Sequence, residues 1–96
     1  MPLQVDGFDP SDAFKSDLRR APADVVDDAS AALKKLKANP HSNGLRLHPL
    51  QGYPKPTIFK IDVRPDKSWQ ITFEMQGRTA VLLRIGTHKE LDRRPR

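Results

Sequence analysis

The sequence predicts an α+β domain in which two N-terminal helices cover one face of an antiparallel meander. Up to about residue 38 the apolar side chains recur every three or four positions, and from residue 45 onward they recur every second position. A chain of 96 residues builds one hydrophobic core, so residues 1–96 are expected to form a single domain. Nine prolines and five glycines keep every regular element short, which excludes long coiled coils.

Asp9-Pro10-Ser11-Asp12 opens the first helix, expected over 10–20, with Asp9 as N-cap and Pro10 at the first helical position. Phe14 and Leu18 give that helix a narrow apolar stripe. Pro22 starts a longer helix whose Val25, Val26, Ala29, Ala32, Leu33 and Leu36 share one face. Asp24, Asp27 and Asp28 crowd its start and Lys34, Lys35 and Lys37 its end, both placements complementing the helix dipole before Asn39-Pro40 stops it.

Leu45 and Leu47, alternating with Arg46 and His48, read as a short strand followed by a loop at residues 51–56. Phe59, Ile61 and Val63, a turn at Pro65-Asp66-Lys67, then Trp69, Ile71, Phe73 and Met75 make an antiparallel hairpin. Gln76-Gly77 turns into the apolar run from Thr79 to Ile85, a strand covered on both faces. Residues 1–8 offer a weak edge strand. Strand parity puts Trp69 and Phe73 in the core and Arg46, His48, Lys60, Asp62, Gln70, Thr72, Leu82 and Arg84 on the opposite, polar and mostly basic face.

Charge is segregated along the chain. Residues 1–30 carry seven acids and three bases, whereas residues 31–96 carry fourteen bases and five acids, within a net charge of +5. Such segregation favours a polyanionic partner, nucleic acid or an acidic protein segment. With no cysteine there is no disulfide framework and no thiolate chemistry, and three histidines at 41, 48 and 88 lack a metal-ligand spacing. No metal and no cofactor is therefore expected. There is no membrane-length apolar run, and the start reads as neither leader nor anchor, so a cytoplasmic location is expected.

Four segments in this order resemble the RelE/ParE superfamily of type II toxin-antitoxin toxins, over nearly the whole chain. Phe14-Lys15-Ser16-Asp17-Leu18 is similar to the family's first-helix F-x-x-D-L pattern, and Leu36-Lys37-Ala38-Asn39-Pro40 to its L-x-x-N-P helix exit. Sharper is the pair formed by His48-Pro49-Leu50-Gln51-Gly52, an H-x-L-x-G loop, and Gly86-Thr87-His88-Lys89-Glu90-Leu91, a G-T-H-x-x-L ending shared with the RelE- and YafQ-like branches. The resemblance implies two N-terminal helices on a curved antiparallel sheet. It also implies metal-independent cutting of ribosome-bound mRNA, by attack of a ribose 2′-hydroxyl on the adjacent phosphate, and an acidic antitoxin protein as partner.

That chemistry needs a base for the 2′-hydroxyl, an acid for the leaving 5′-oxygen and positive charge at the phosphorane. By the resemblance, His48 and His88 are the catalytic candidates. Arg84 is the candidate for phosphorane charge, and Arg46, Lys60 and Gln70 are candidates for RNA binding. Thr87-x-x-Glu90 has the form of a capping box, which places His88 in the first turn of a short C-terminal helix and suits it to a base or hydrogen-bonding role. His41 reads as part of a polar turn, and Arg93-Arg94-Pro95-Arg96 as a solvated tail.

Two departures stand out. Many active relatives have an arginine where this chain has Gln70, and an aromatic where it has Asp92. The charge lost at Gln70 must then come from Arg84 or Lys60. The alternatives are a ParE-type toxin that binds gyrase without catalysis, which the shared fold permits, and a non-catalytic relative that binds nucleic acid or an acidic antitoxin segment, favoured by the missing arginine.

Overall fold

The computed structural model describes residues 3–54, 57–64 and 66–95. The elements run β1 (Gly7–Pro10), α1 (Asp12–Arg20), α2 (Ala23–Ala38), a 3-10 turn (Asn43–Leu45), β2 (His48–Pro54), β3 (Thr57–Asp62), β4 (Trp69–Gln76), β5 (Thr79–Thr87) and α3 (His88–Arg93). The sheet order is β1-β5-β4-β3-β2. Strands β2 to β5 form the expected antiparallel meander, while β1 runs parallel to β5, so the sheet is mixed and not wholly antiparallel.

Pairing with β5 explains a shift at the start of α1. Asp9 and Pro10 belong to the β1 ladder, where an edge strand tolerates proline; the edge strand covers 7–10, residues 3–6 are not in it, and residues 1 and 2 of the expected strand lie outside the described residues. Ser11 becomes the N-cap, its Oγ accepting the Phe14 N–H at 3.1 Å and donating to the Leu83 carbonyl at 3.0 Å. Helix α2 spans the expected residues. It is tied to the turn after β3 by Arg64, which donates to Asp24 at 2.6 Å and to Asp28 at 2.7 Å.

Leu45 does not begin a strand. It closes a 3-10 turn and is 1% exposed, its side chain inserted into the core, and Arg46 follows in a left-handed conformation at φ 50°. Strand β2 starts at His48 and continues through the segment read as a loop, with an irregular register against β3 between Pro49 and Pro54 and Gly52 at φ +88°. Residues 55, 56 and 65, which complete the expected loop and turn, lie outside the described residues.

A bulge in β5 sets the core. Thr72 faces Arg84 and Phe73 faces Leu82, so Leu83 is an extra residue on β5 and the alternation changes phase there. Leu82 therefore points into the core with Ile85, at 2% and 3% exposure, and not onto the polar face as parity alone implied. Both meet Phe14 of α1, Val25, Ala29, Ala32 and Leu36 of α2, and Ile61, Ile71 and Phe73 in one buried cluster. Phe59 stacks on Phe73 across the β3–β4 pair, with ring centroids 5.5 Å apart.

The opposite face of the sheet is less open than expected. Helix α3 packs on β4 and β5, anchored by buried Leu91, and Pro95 behind it is also buried. Ile58, Lys60, Asp62, Gln70 and Thr72 are consequently all at most 5% exposed.

Candidate functional site

Four cross-strand neighbours form the centre of this face. Register pairs His48 with Lys60, Lys60 with Thr72, and Thr72 with Arg84, giving one row across β2, β3, β4 and β5. Asp62 and Gln70 pair in the next row toward the end of the sheet that carries Gly86. Because alternate residues of a strand share a face, the rows lie side by side.

Lys60 is the centre of the site. Its side chain is 7% exposed, and its ammonium has Asp92 of α3 as ion-pair partner at 3.9 Å. The C-terminal tail closes over the neighbouring row position, where Thr72 Oγ1 donates to the Pro95 carbonyl at 2.6 Å. Arg93 and Arg94 are exposed, as expected of a solvated tail, but Pro95 is buried and helps to roof the site, and Arg96 lies outside the described residues.

Each candidate histidine is held by one ring nitrogen. His48 Nδ1 lies 2.6 Å from the Arg46 carbonyl, and since a carbonyl only accepts, Nδ1 carries the hydrogen and Nε2 is left for another partner. The left-handed backbone at Arg46 puts that carbonyl under the ring. His88 Nδ1 lies 3.1 Å from Asp92 Oδ2, one helical turn on, and both side chains are more than half exposed. Helix α3 is fixed at its start by the expected capping box: Thr87 Oγ1 accepts the Glu90 N–H at 3.3 Å and the Glu90 carboxylate accepts the Thr87 N–H at 3.0 Å. Those bonds hold the Glu90 carboxyl below the usual carboxylate range, the bond from the Thr87 backbone contributing most.

Gln70 is buried where the family arginine was expected. Its Nε2 donates to Asp62 Oδ1 at 2.8 Å, and Arg46 Nε stands 3.6 Å from the other oxygen of the same carboxylate. Gln70 Oε1 has no hydrogen-bond partner among the described residues. Asp62 therefore links two of the candidate RNA-binding residues, Arg46 and Gln70.

Arg84 stands in the central row by its backbone, yet its guanidinium reaches back to α1. Nε and Nη2 donate to the two oxygens of Asp17 at 2.6 and 2.8 Å, and Asp17 also accepts from Arg20 and from the Ile85 N–H. The hydrogen bond to Asp17 is the main cause that holds Arg84 protonated above the usual arginine range. His41 lies in an exposed turn, its N–H bonded to Asn39 Oδ1. Among the described residues no three His, Asp or Glu side chains converge as metal ligands.

The sequence pattern assembled His48, Lys60, Arg46 and Gln70 on one face and His88 beside it, but it did not show Asp17, Asp92 or the tail as parts of their surroundings. Asp92 stands four residues after His88, a helical spacing that was available as a signal once the capping box had marked α3.

No protein-family model and no curated protein sequence matches the chain. Solved structures do. YafQ from Escherichia coli BL21(DE3) superposes with a TM-score of 0.71 at 23% identity, over 92% of this chain and 98% of its own. RelE in the RelB-RelE antitoxin-toxin complex from Methanococcus jannaschii gives 0.63 at 20% identity, over 88% and 95% of the two chains. The YoeB/ParE toxin from Agrobacterium tumefaciens gives 0.68 at 12% identity, over 85% and 98%. The resemblance carried by the sequence motifs extends to the whole architecture: the chain has the fold of the RelE/ParE superfamily toxins.

Proposed function

We propose that this protein is the toxin of a type II toxin-antitoxin pair and that it cuts mRNA on the ribosome. The observation that carries the reading is the arrangement around Lys60. His48 is its cross-strand neighbour, His88 is joined to it through Asp92, and each histidine is tethered by Nδ1 and so offers Nε2.

In this reading His88 Nε2 takes the proton of the ribose 2′-hydroxyl as the 2′-oxygen attacks the adjacent phosphorus. The bond from phosphorus to the 5′-oxygen breaks, and His48, acting as an imidazolium with a hydrogen on each ring nitrogen, delivers the Nε2 proton to the departing oxygen, leaving a 2′,3′-cyclic phosphate and a 5′-hydroxyl. Lys60 stabilises the phosphorane charge, in a nearly water-free position where a point charge is most effective. Arg46, half exposed at the rim, holds a flanking phosphate. Arg84, with Nε and Nη2 given to Asp17, is assigned to fixing α1 against the strand that ends in Gly86-Thr87-His88.

The partner in this reading is an antitoxin with an acidic, disordered segment that folds onto the basic half of the chain. Support comes from the fold shared with YafQ and RelE, each solved as a complex with its antitoxin, DinJ and RelB. One observation favours a non-catalytic relative instead: a neutral amide, Gln70, bound to Asp62, occupies the place of the expected arginine.

Primer extension on cellular mRNA after brief induction tests the proposal. New ends within codons are expected, and they should fall by a factor on the order of 10²–10⁴ in the His48→Ala/His88→Ala double variant. Arrested growth with no new ends would point to gyrase, and normal growth with no new ends to a binding module.

A further inference from the structure

The residue that replaces the expected aromatic is not neutral filler. Asp92 lies one helical turn after His88, and its two oxygens face different partners: Oδ2 is 3.1 Å from His88 Nδ1 and Oδ1 is 3.9 Å from Lys60 Nζ. The helix that carries both residues is fixed at its start by the Thr87–Glu90 capping box and in its middle by Leu91, which is 3% exposed. An exposed i,i+4 contact on a free helix would fluctuate, but here the backbone is anchored and the far oxygen faces a lysine that the sheet holds in place.

We infer that Asp92 is a positioning residue for His88, accepting the Nδ1 hydrogen and thereby fixing the ring in the form whose Nε2 lone pair faces outward. The consequence for catalysis rests on the nuclease reading above. A neutral imidazole carries one hydrogen, and which nitrogen has it is set by the partner of the other. A carboxylate at Nδ1 selects the base-competent form and also faces the positive charge that appears on the ring once Nε2 has taken the proton. Asp92 needs to touch neither RNA nor phosphate for this. Its pairing with Lys60 adds a second effect, since one carboxylate then sets the spacing between the base and the cation that the phosphorane would meet.

The test uses the full chain with ¹⁵N-labelled histidine, read by NMR at a pH of about 8, where an ordinary imidazole is neutral. In the parent protein His88 Nε2 should show the shift of an unprotonated ring nitrogen and Nδ1 that of a protonated one. In Asp92→Asn the two shifts should draw together, because the amide oxygen is a weaker acceptor and the amide group can equally donate. In Lys60→Met they should stay apart. Unchanged shifts in Asp92→Asn would overturn the inference, as would an equal collapse in Lys60→Met, which would trace the effect to the charge of the face and not to the contact. Cleavage supplies the second readout: Asp92→Asn should lower kcat on the order of tenfold or more with KM unchanged. A parent protein that does not cleave defeats the nuclease reading while the ring shifts still decide the role of Asp92. A parent that cleaves no faster than Asp92→Asn defeats the positioning role alone.

Discussion

Arg84 and Asp17, 67 residues apart in the chain, meet side-on, with Nε 2.6 Å from one carboxylate oxygen and Nη2 2.8 Å from the other. Asp17 is 5% exposed at its side chain and Arg84 24%, so removal of the guanidinium leaves a buried carboxylate short of two of its donors. Arg84→Ala should lower stability by about 2 kcal/mol in urea unfolding. Arg84→Lys should recover only part of that, because a point charge cannot reproduce the two parallel bonds. An Arg84→Ala protein as stable as the parent would mean that the pair contributes nothing net.

The capping box gives α3 a pH dependence of known sign. Glu90 is held below its ordinary carboxylate range in the folded protein, chiefly by the Thr87 N–H. A group with a depressed folded pKa contributes stability that is present above its unfolded value and lost as pH falls through the folded one. The amides of Thr87 and Glu90 should therefore lose protection, measured against the intrinsic exchange rate at each pH, as pH drops below about 4, before those of β4. Glu90→Gln keeps a side-chain acceptor at the same position and should abolish the dependence.

Gln70→Arg probes the charge of the central face. The new guanidinium would stand beside Asp62, which already accepts from Gln70 and faces Arg46, so the substitution meets a carboxylate instead of an uncompensated burial. On the nuclease reading proposed above, cleavage should rise by about tenfold or more, since a single added donor at a developing oxyanion is worth at least that. An unchanged rate in a folded variant would count against the placement of phosphate over Lys60 and Gln70.

The bulge at Leu83 is a test of the core. Deleting Leu83 takes out the extra residue and leaves Leu82, Arg84 and Ile85 in simple alternation opposite Phe73, Thr72 and Ile71, so both core side chains keep their place in the cluster. What goes is the Leu83 carbonyl that accepts from Ser11 Oγ, so the thermal transition in circular dichroism should stay cooperative, with a loss of about 1 kcal/mol. A collapsed transition would mean that the bulge itself is needed to close the core.

How far the residues foretold this arrangement depends on the range of the interaction involved. Both N-terminal helices, the Trp69–Gln76 strand and its hairpin partners, and the Thr87 cap were legible because their signals lie within a few residues of one another. Leu82 was misplaced because parity assumes an unbroken alternation, and a bulge is decided by what lies across the sheet. Pro10 was read as a helix start because its pairing with β5 is a contact with distant chain. The candidate histidines were legible as residues, and the backbone carbonyl and the carboxylate that orient them were not, since neither Arg46 nor Asp92 carries a motif of its own.

The parallel pairing of β1 with β5 also sets the order in which this chain can be made. The first twenty residues find their partners, the Ser11–Leu83 and Asp17–Arg84 bonds and the β1 ladder, in the last strand of the sheet. During synthesis those partners follow α2 and strands β2 to β4, so α1 waits unsatisfied on an incomplete sheet until residue 87 has left the ribosome. A polypeptide interrupted before β5 would have no closed core and no α3, so the row from His48 to Arg84 and the contact of His88 with Asp92 assemble only once β5 and α3 have left the ribosome.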